Sequence, residues 1–156
     1  MLLRIKKLVP GAVMPKKAHE SDAGYDLTAV SRKVDEDGTI VYGTGLAMEI
    51  EVGYVGLVFP RSSIANKDIV LSNCVGVIDS GYRGEVMAKF KPSLSFAEFP
   101  GLPESVHVHM RYEDSYKIGD RIAQLVIMKL PDVQMMEVEE LGKSERGTGG
   151  YGSSGA

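Results

Sequence analysis

The chain has 156 residues, enough for one domain with a substantial core and too few for two comfortable ones. Its formal charge of -3 excludes a protein that binds nucleic acid across its whole surface, so any phosphate recognition has to be local. Cys74 is the only cysteine, which excludes an intrachain disulfide framework and a cysteine zinc site; in its apolar run it reads as packing.

Eighteen glycines and seven prolines, with Val, Ile, Tyr and Thr in short runs, predict many short strands joined by tight turns. No window shows a clean apolar helical repeat. Residues 2–9 alternate as a first strand with Leu3, Ile5 and Lys7 on one face, ended by Pro10-Gly11. This start lacks the unbroken apolar run of a signal peptide, and no stretch approaches the roughly 20 apolar residues of a membrane span. The expectation is a soluble, cytoplasmic protein without membrane contact.

Next comes Ser21-Asp22-Ala23-Gly24-Tyr25-Asp26-Leu27, a glycine-bearing turn whose acidic residues lead into apolar ones. Asp35-Glu36-Asp37-Gly38 marks a turn before a short strand at 39–42. Residues 45–52 predict a strand, Gly53-Tyr54 a tight turn, and residues 55–59 the partner strand of a hairpin. That strand delivers Pro60-Arg61-Ser62-Ser63, where Ser62 or Ser63 can cap a helical turn over 64–67 whose amides face an anion held by Arg61. An ordinary capped turn with a surface arginine fits these residues equally well.

Residues 72–87 carry two apolar runs separated by a turn with one carboxylate, one phenol and one guanidinium, Asp79, Tyr82 and Arg83. This predicts a hairpin with chemistry at its tip, although Asp79 and Arg83 taken alone are as readily turn and surface residues. The segment 91–116 is loop-like, with a strand over 106–110 whose His107 and His109 lack a third ligand for zinc. Residues 117–120 form a turn. Residues 121–130 make the most apolar strand, interrupted by Gln124, whose amide needs partners if buried. Residues 133–138 predict a last strand, with Met135 and Met136 filling core.

From Glu139 onward few residues can pack. The tail, residues 146–155, has the composition of a phosphate loop but lacks Gly-Lys-Ser/Thr and a following helix, which excludes a Walker site. Composition alone predicts a flexible terminus. Arg146 and Tyr151 nevertheless suit a lid that closes over a ligand with a cation and a flat ring.

Five stretches, taken in order, resemble the trimeric all-β dUTP pyrophosphatase (dUTPase) family: residues 23–27, residues 60–63, residues 76–85 (Gly-Val-Ile-Asp-Ser-Gly-Tyr-Arg-Gly-Glu), residues 119–125 (Gly-Asp-Arg-Ile-Ala-Gln-Leu) and the tail. The resemblance implies an all-β, jelly-roll-like barrel or sandwich with at most one short helix over residues 1–138. It implies a glycine-rich tail, 139–156, closing over an active site. A homotrimer with shared sites follows from it as well, the tail donated by a neighbouring subunit.

By the same resemblance, Asp79 is the general base that takes a proton from the water attacking the α-phosphorus of dUTP, giving dUMP and pyrophosphate and keeping uracil out of DNA. Aspartates in general are ionised at neutral pH, so the role asks for no special environment. Uracil is read by main-chain groups around Gly76, Val77, Ile78 and Met87 and by the Asn73 amide, with Tyr82 against the deoxyribose. Arg61, Ser62, Ser63 and Gln124 take the phosphate chain, Arg146, Gly152 and Ser153 its far end, and Tyr151 stacks over the base. Mg2+ is held by phosphate oxygens and waters without a direct protein ligand, Asp26 touching those waters.

The chain departs from the family pattern at Ser63, Gly81 and Tyr151, each a mild change, and its 91–116 connection is longer than usual. Two rival readings are a dCTP deaminase-like enzyme of the same fold, which needs a glutamate not matched here, and a non-catalytic nucleotide-sensing regulator.

Overall fold

A computed structural model describes residues 1–92, 115–150 and 153. Its strands in chain order are β1 (Arg4–Lys7), β2 (Tyr25–Thr28), β3 (Ser31–Val34), β4 (Ile40–Gly43), β5 (Leu46–Glu49), β6 (Tyr54–Pro60), β7 (Ile69–Leu71), β8 (Gly76–Ile78), β9 (Met87–Pro92) and β10 (Arg121–Lys129). A short 3₁₀ turn, Ser62–Asn66, follows β6. The strands form two four-stranded antiparallel sheets, ordered β2-β10-β6-β8 and β3-β4-β9-β7, and a β1-β5 ribbon. The all-β, jelly-roll-like architecture expected from the sequence is therefore the architecture observed.

Period-two patterning explains which faces meet. In β9, Ala88 and Phe90 are buried while Met87 and Lys89 face out. The rings of Tyr42, Phe90 and Tyr116 meet edge to face at 5.6–6.2 Å between centroids. Leu27, Ile122 and Leu125 from the other sheet belong to the same buried cluster. The one polar atom that Tyr42 brings inside is satisfied, because its hydroxyl donates to the Tyr116 carbonyl at 2.6 Å.

Strand β10 is hydrogen-bonded on both sides, to β2 and β6, and carries a bulge between Arg121 and Ala123 where it faces β2. Ile122 and Ala123 are both buried there. The extra residue brings Arg121 opposite Thr28 and so onto the face that Gln124 and Asp26 share. Strict alternation would have aimed it the other way.

Several expectations need correction. The turn at 51–54 exists, with Tyr54 N–H donating to the Glu51 carbonyl at 3.1 Å, but β5 and β6 are not hairpin partners. β5 pairs with β1 and β6 with β10 and β8, so the turn is a corner between layers. Likewise β8 and β9 lie in different sheets, and the loop between them crosses from one to the other instead of capping a ladder. Neither Ser62 nor Ser63 caps the 3₁₀ turn; Arg61 holds the N-cap position and makes no side-chain capping bond there.

Cys74 is exposed in a turn at φ 59°, with its N–H bonded to the Leu71 carbonyl, and does not pack in the core. Residues 133–138 form no strand. Met135 and Met136 are 96% and 81% exposed because the extended segment has no partner among the described residues. The strand expected at 106–110, with His107 and His109, lies outside the described residues.

The turn before β4 gives a pH prediction. Asp37 accepts the Thr39 backbone N–H at 3.0 Å and its hydroxyl at 2.9 Å, and these bonds, the backbone one first, hold the carboxyl below the ordinary aspartate range. A depressed native pKa contributes stability that is complete above the unfolded value, about 3.9, and is lost as pH falls through the lower native one. Asp37→Asn should lower the urea midpoint at neutral pH and leave it unchanged in acid below the native pKa, where both side chains are neutral.

Candidate functional site

Two groups of predicted residues come together at separate places on the chain. The first surrounds a cleft of about 350 Å³ bounded by β8, the start of β9 and the loop between them. Val58, Leu71 and Ala88 give it an apolar floor, while Asn73, Asp79 and Tyr82 bring polar groups to its walls and Gly76, Val77, Ile78 and Met87 line it. A mostly apolar slot with one amide, the carboxylates of Asp79 and Glu85 and the Lys89 side chain on its lining suits a flat heterocycle with polar edges.

Local chemistry sets the walls. A Cβ on Gly76 would lie 3.2 Å from Val58 Cβ, so the glycine lets β8 sit tightly against β6. The Asp79 loop closes with the Tyr82 N–H donating to the Asp79 carbonyl at 3.0 Å. Arg83 Nη1 donates to the carbonyls of Ser80 and Tyr82 at 2.7 and 2.9 Å, and the Tyr82 hydroxyl to that of Glu85 at 2.9 Å. The Tyr82 ring lies over Gly84, where a Cβ would come within 2.5 Å of the hydroxyl oxygen. Asp79 is left exposed on the loop.

The second group lies where β2, β10 and the end of β6 meet. Asp26, only 15% exposed, accepts Arg61 Nε at 2.7 Å on one oxygen and Arg121 Nη1 at 2.9 Å on the other. Two guanidinium groups against one carboxylate leave a net positive spot facing out. Beside it Gln124 Nε2 donates to the Pro60 carbonyl at 3.0 Å. Gly24 makes room for that amide, since a Cβ there would lie 2.5 Å from Gln124 Oε1. Ser62 is exposed on the adjoining 3₁₀ turn, and Ser63 Oγ lies 3.3 Å from the buried Tyr116 hydroxyl.

Neither Arg61 nor Gln124 lines the cleft that holds Asp79. In the tail, Arg146 Nε bonds the Gly149 carbonyl at 2.9 Å and the Ser153 N–H that of Gly150 at 3.2 Å, a local turn apart from both groups. Tyr151 and Gly152 lie outside the described residues. Sequence reading missed Arg121, Glu85 and Tyr116 as site neighbours. Glu85 and Arg121 fall inside the motifs at 76–85 and 119–125 and Tyr116 just before the second, but only the bulge in β10 and the meeting of distant strands reveal what they touch.

The family model described as dUTPase matches residues 11–93 and 105–155. The chain belongs to the dUTPase family. It is 41% identical to the deoxyuridine 5'-triphosphate nucleotidohydrolase of Rhodococcus erythropolis, covering 98% of this chain and 85% of that one. It is 40% identical to that of Clostridium acetobutylicum, with coverage of 98% and 96%. Among solved structures, the Staphylococcus bacteriophage 80alpha dUTPase with dUpNHpp superposes with a TM-score of 0.79 at 33% identity, over 99% of each chain. A dUTPase variant from S. aureus phage phi11, with a TM-score of 0.69 at 26% identity over 90% of this chain and 98% of that one, is described as coordinating a structural Mg(II) ion.

The donor set can be tested against such an ion. Among the described residues no three His, Cys, Asp or Glu side chains gather as a cage. Asp26 already accepts from two arginines, leaving its remaining lone pairs for water. Magnesium carried by phosphate oxygens and water would meet Asp26 only as an outer acceptor.

Asp26→Asn should cost about 1–2 kcal/mol, because the amide oxygen can accept from only one of the two guanidinium groups, of which Arg61 is partly buried and Arg121 exposed. Urea unfolding at fixed protein concentration measures this.

Proposed function

We propose that this dUTPase-family chain hydrolyses dUTP to dUMP and pyrophosphate, limiting uracil incorporation into DNA and supplying dUMP for thymidylate synthesis. The observation that carries the reading is the cleft itself, which gathers Asn73, Gly76, Val77, Ile78, Asp79, Tyr82 and Met87 around one ligand-sized space. Uracil lies against the β8 main chain with its edge on the Asn73 amide, and Tyr82 occupies the space a 2'-hydroxyl would need. Thymine is refused by its extra methyl in a narrow slot, and cytosine by its inverted donor and acceptor pattern.

Asp79 takes a proton from the attacking water as its oxygen bonds to the α-phosphorus, and the bond from that phosphorus to the α,β-bridging oxygen breaks. Arg61, Ser62, Ser63 and Gln124 hold the phosphate chain, and Arg61 can exchange part of its Asp26 contact for phosphate oxygen. Arg146, Tyr151, Gly152 and Ser153 close over the nucleotide as a lid built from residues 139–156. Bound magnesium supplies charge neutralisation on the triphosphate.

A homotrimer with shared sites accounts for two features. The cleft and the Arg61-Gln124 group do not share a lining in one subunit, so a neighbour's surface is needed to bring base and phosphates together. Val133, Met135, Met136 and Leu141 are 64–96% exposed along an extended segment that a second copy would cover. A cytoplasmic location fits an enzyme acting on free nucleotides; among the described residues no helix is long and apolar enough to cross a membrane.

Pyrophosphate release across dUTP, the four common deoxynucleotides and UTP tests the assignment. Ammonia from dCTP would favour the deaminase reading, and nucleotide binding without turnover the sensor. Asp79→Asn should bind dUTP normally while kcat falls at least about 100-fold, since the amide cannot accept the proton. Deleting residues 144–156 should leave the thermal midpoint near that of the full chain and sharply reduce kcat; equal turnover in the truncated protein would reject the lid.

A further inference from the structure

The Asp79 loop crosses between the two sheets without a ladder of its own, so something else has to fix its position. Glu85, at the end of that loop, is half-buried and reaches the opposite turn between β4 and β5. There its Oε1 accepts the Gly45 N–H at 2.7 Å. The space it enters exists only because residue 43 is glycine. A Cβ on Gly43 would lie 2.5 Å from Glu85 Oε1 and would also collide with Ser31 Oγ. Gly45, whose N–H meets the carboxylate, stands at φ 65°, a left-handed conformation that glycine adopts without strain.

Neighbouring bonds continue the same seam. Val86 N–H donates to the Leu46 carbonyl at 2.8 Å, and the buried Thr44 hydroxyl donates to the Val86 carbonyl at 2.7 Å. On the loop side, the Tyr82 hydroxyl donates to the Glu85 carbonyl. Glu85 thus connects a two-glycine socket on the β4-β5 turn to the ring that walls the cleft and the carboxylate at its rim.

We propose that Glu85 is a positioning residue of the hydrolytic site: by docking its side chain in the Gly43-Gly45 socket it sets where Asp79 and Tyr82 stand over the cleft. The role requires reach and an acceptor oxygen, not negative charge. It rests on the reading of Asp79 as the base, and the test separates the two.

Glutamine keeps the reach and the acceptor but loses the charge, while aspartate keeps the charge and withdraws the oxygens by one methylene, ~1.5 Å. Glu85→Gln should retain kcat within about threefold, whereas Glu85→Asp should lose about tenfold or more in kcat with KM changed less than about threefold, the pattern of a displaced reacting group. Amide hydrogen exchange at Gly45 should stay slow in wild type and Glu85→Gln and quicken in Glu85→Asp. Wild type and Asp79→Asn are assayed alongside.

Equal kcat in Glu85→Asp and wild type, or a greater loss in Glu85→Gln than in Glu85→Asp, would overturn the proposal, as would failure of either variant to fold. If wild type releases no pyrophosphate from dUTP, or Asp79→Asn matches it, the functional reading fails instead. The Gly45 exchange rates then still decide whether Glu85 docks as inferred.

Discussion

Strand β10 is the element on which both the core and the charged surface around Asp26 depend. It is paired along its length with β6 and along its first half with β2, so its backbone has little freedom to shift. Its inward residues Ile122, Ala123 and Leu125 are fully buried, while Gln124 and the bulged Arg121 look out beside Asp26. The apolar burial that stabilises the sandwich therefore also holds the register that puts one carboxylate between two guanidinium groups. Burial and charge placement are two faces of one strand.

The other half of the site is built differently. Asp79 stands on a loop that leaves one sheet at Ile78 and enters the other at Met87. Such a loop has no ladder to rigidify it, and it relies on short-range bonds from Tyr82 and Arg83 and on the Glu85 contact with the β4-β5 turn. An exposed carboxylate with solvent access on a loop pinned from beneath is a workable arrangement for activating water, because the reacting oxygen is free while its carrier is fixed. The Asp26 group has the opposite character: its carboxylate is largely buried on a strand and held between two guanidinium groups, one of them half-exposed.

The corrections share one cause. Local patterning identified β1, β4, β5, β6, β8, β9 and β10, since alternation and turn residues act over a few positions, but it missed the short β2, β3 and β7 and paired strands by sequence proximity. Residues 45–59 looked like a hairpin because a good turn joins two strands, but each strand finds a better partner in another layer. The same applies to residues 72–87. Cys74 and the 133–138 segment looked buried because apolar residues are assumed to find partners; the first sits in a positive-φ turn, and the second has none among the described residues.

What the sequence by itself determined was most of the strand content, because period-two alternation and turn residues are local properties. The roles given to Asp79, Asn73, Tyr82, Arg61 and Gln124 came from the family resemblance of their motifs, not from alternation. Tertiary structure alone decided which of them meet, that Arg121 completes the Asp26 pair and that Glu85 docks in a socket made by Gly43 and Gly45. A bulge changes the face of every residue beyond it, and a crossing loop takes its neighbours from strands dozens of positions away; neither leaves a periodic trace in the chain.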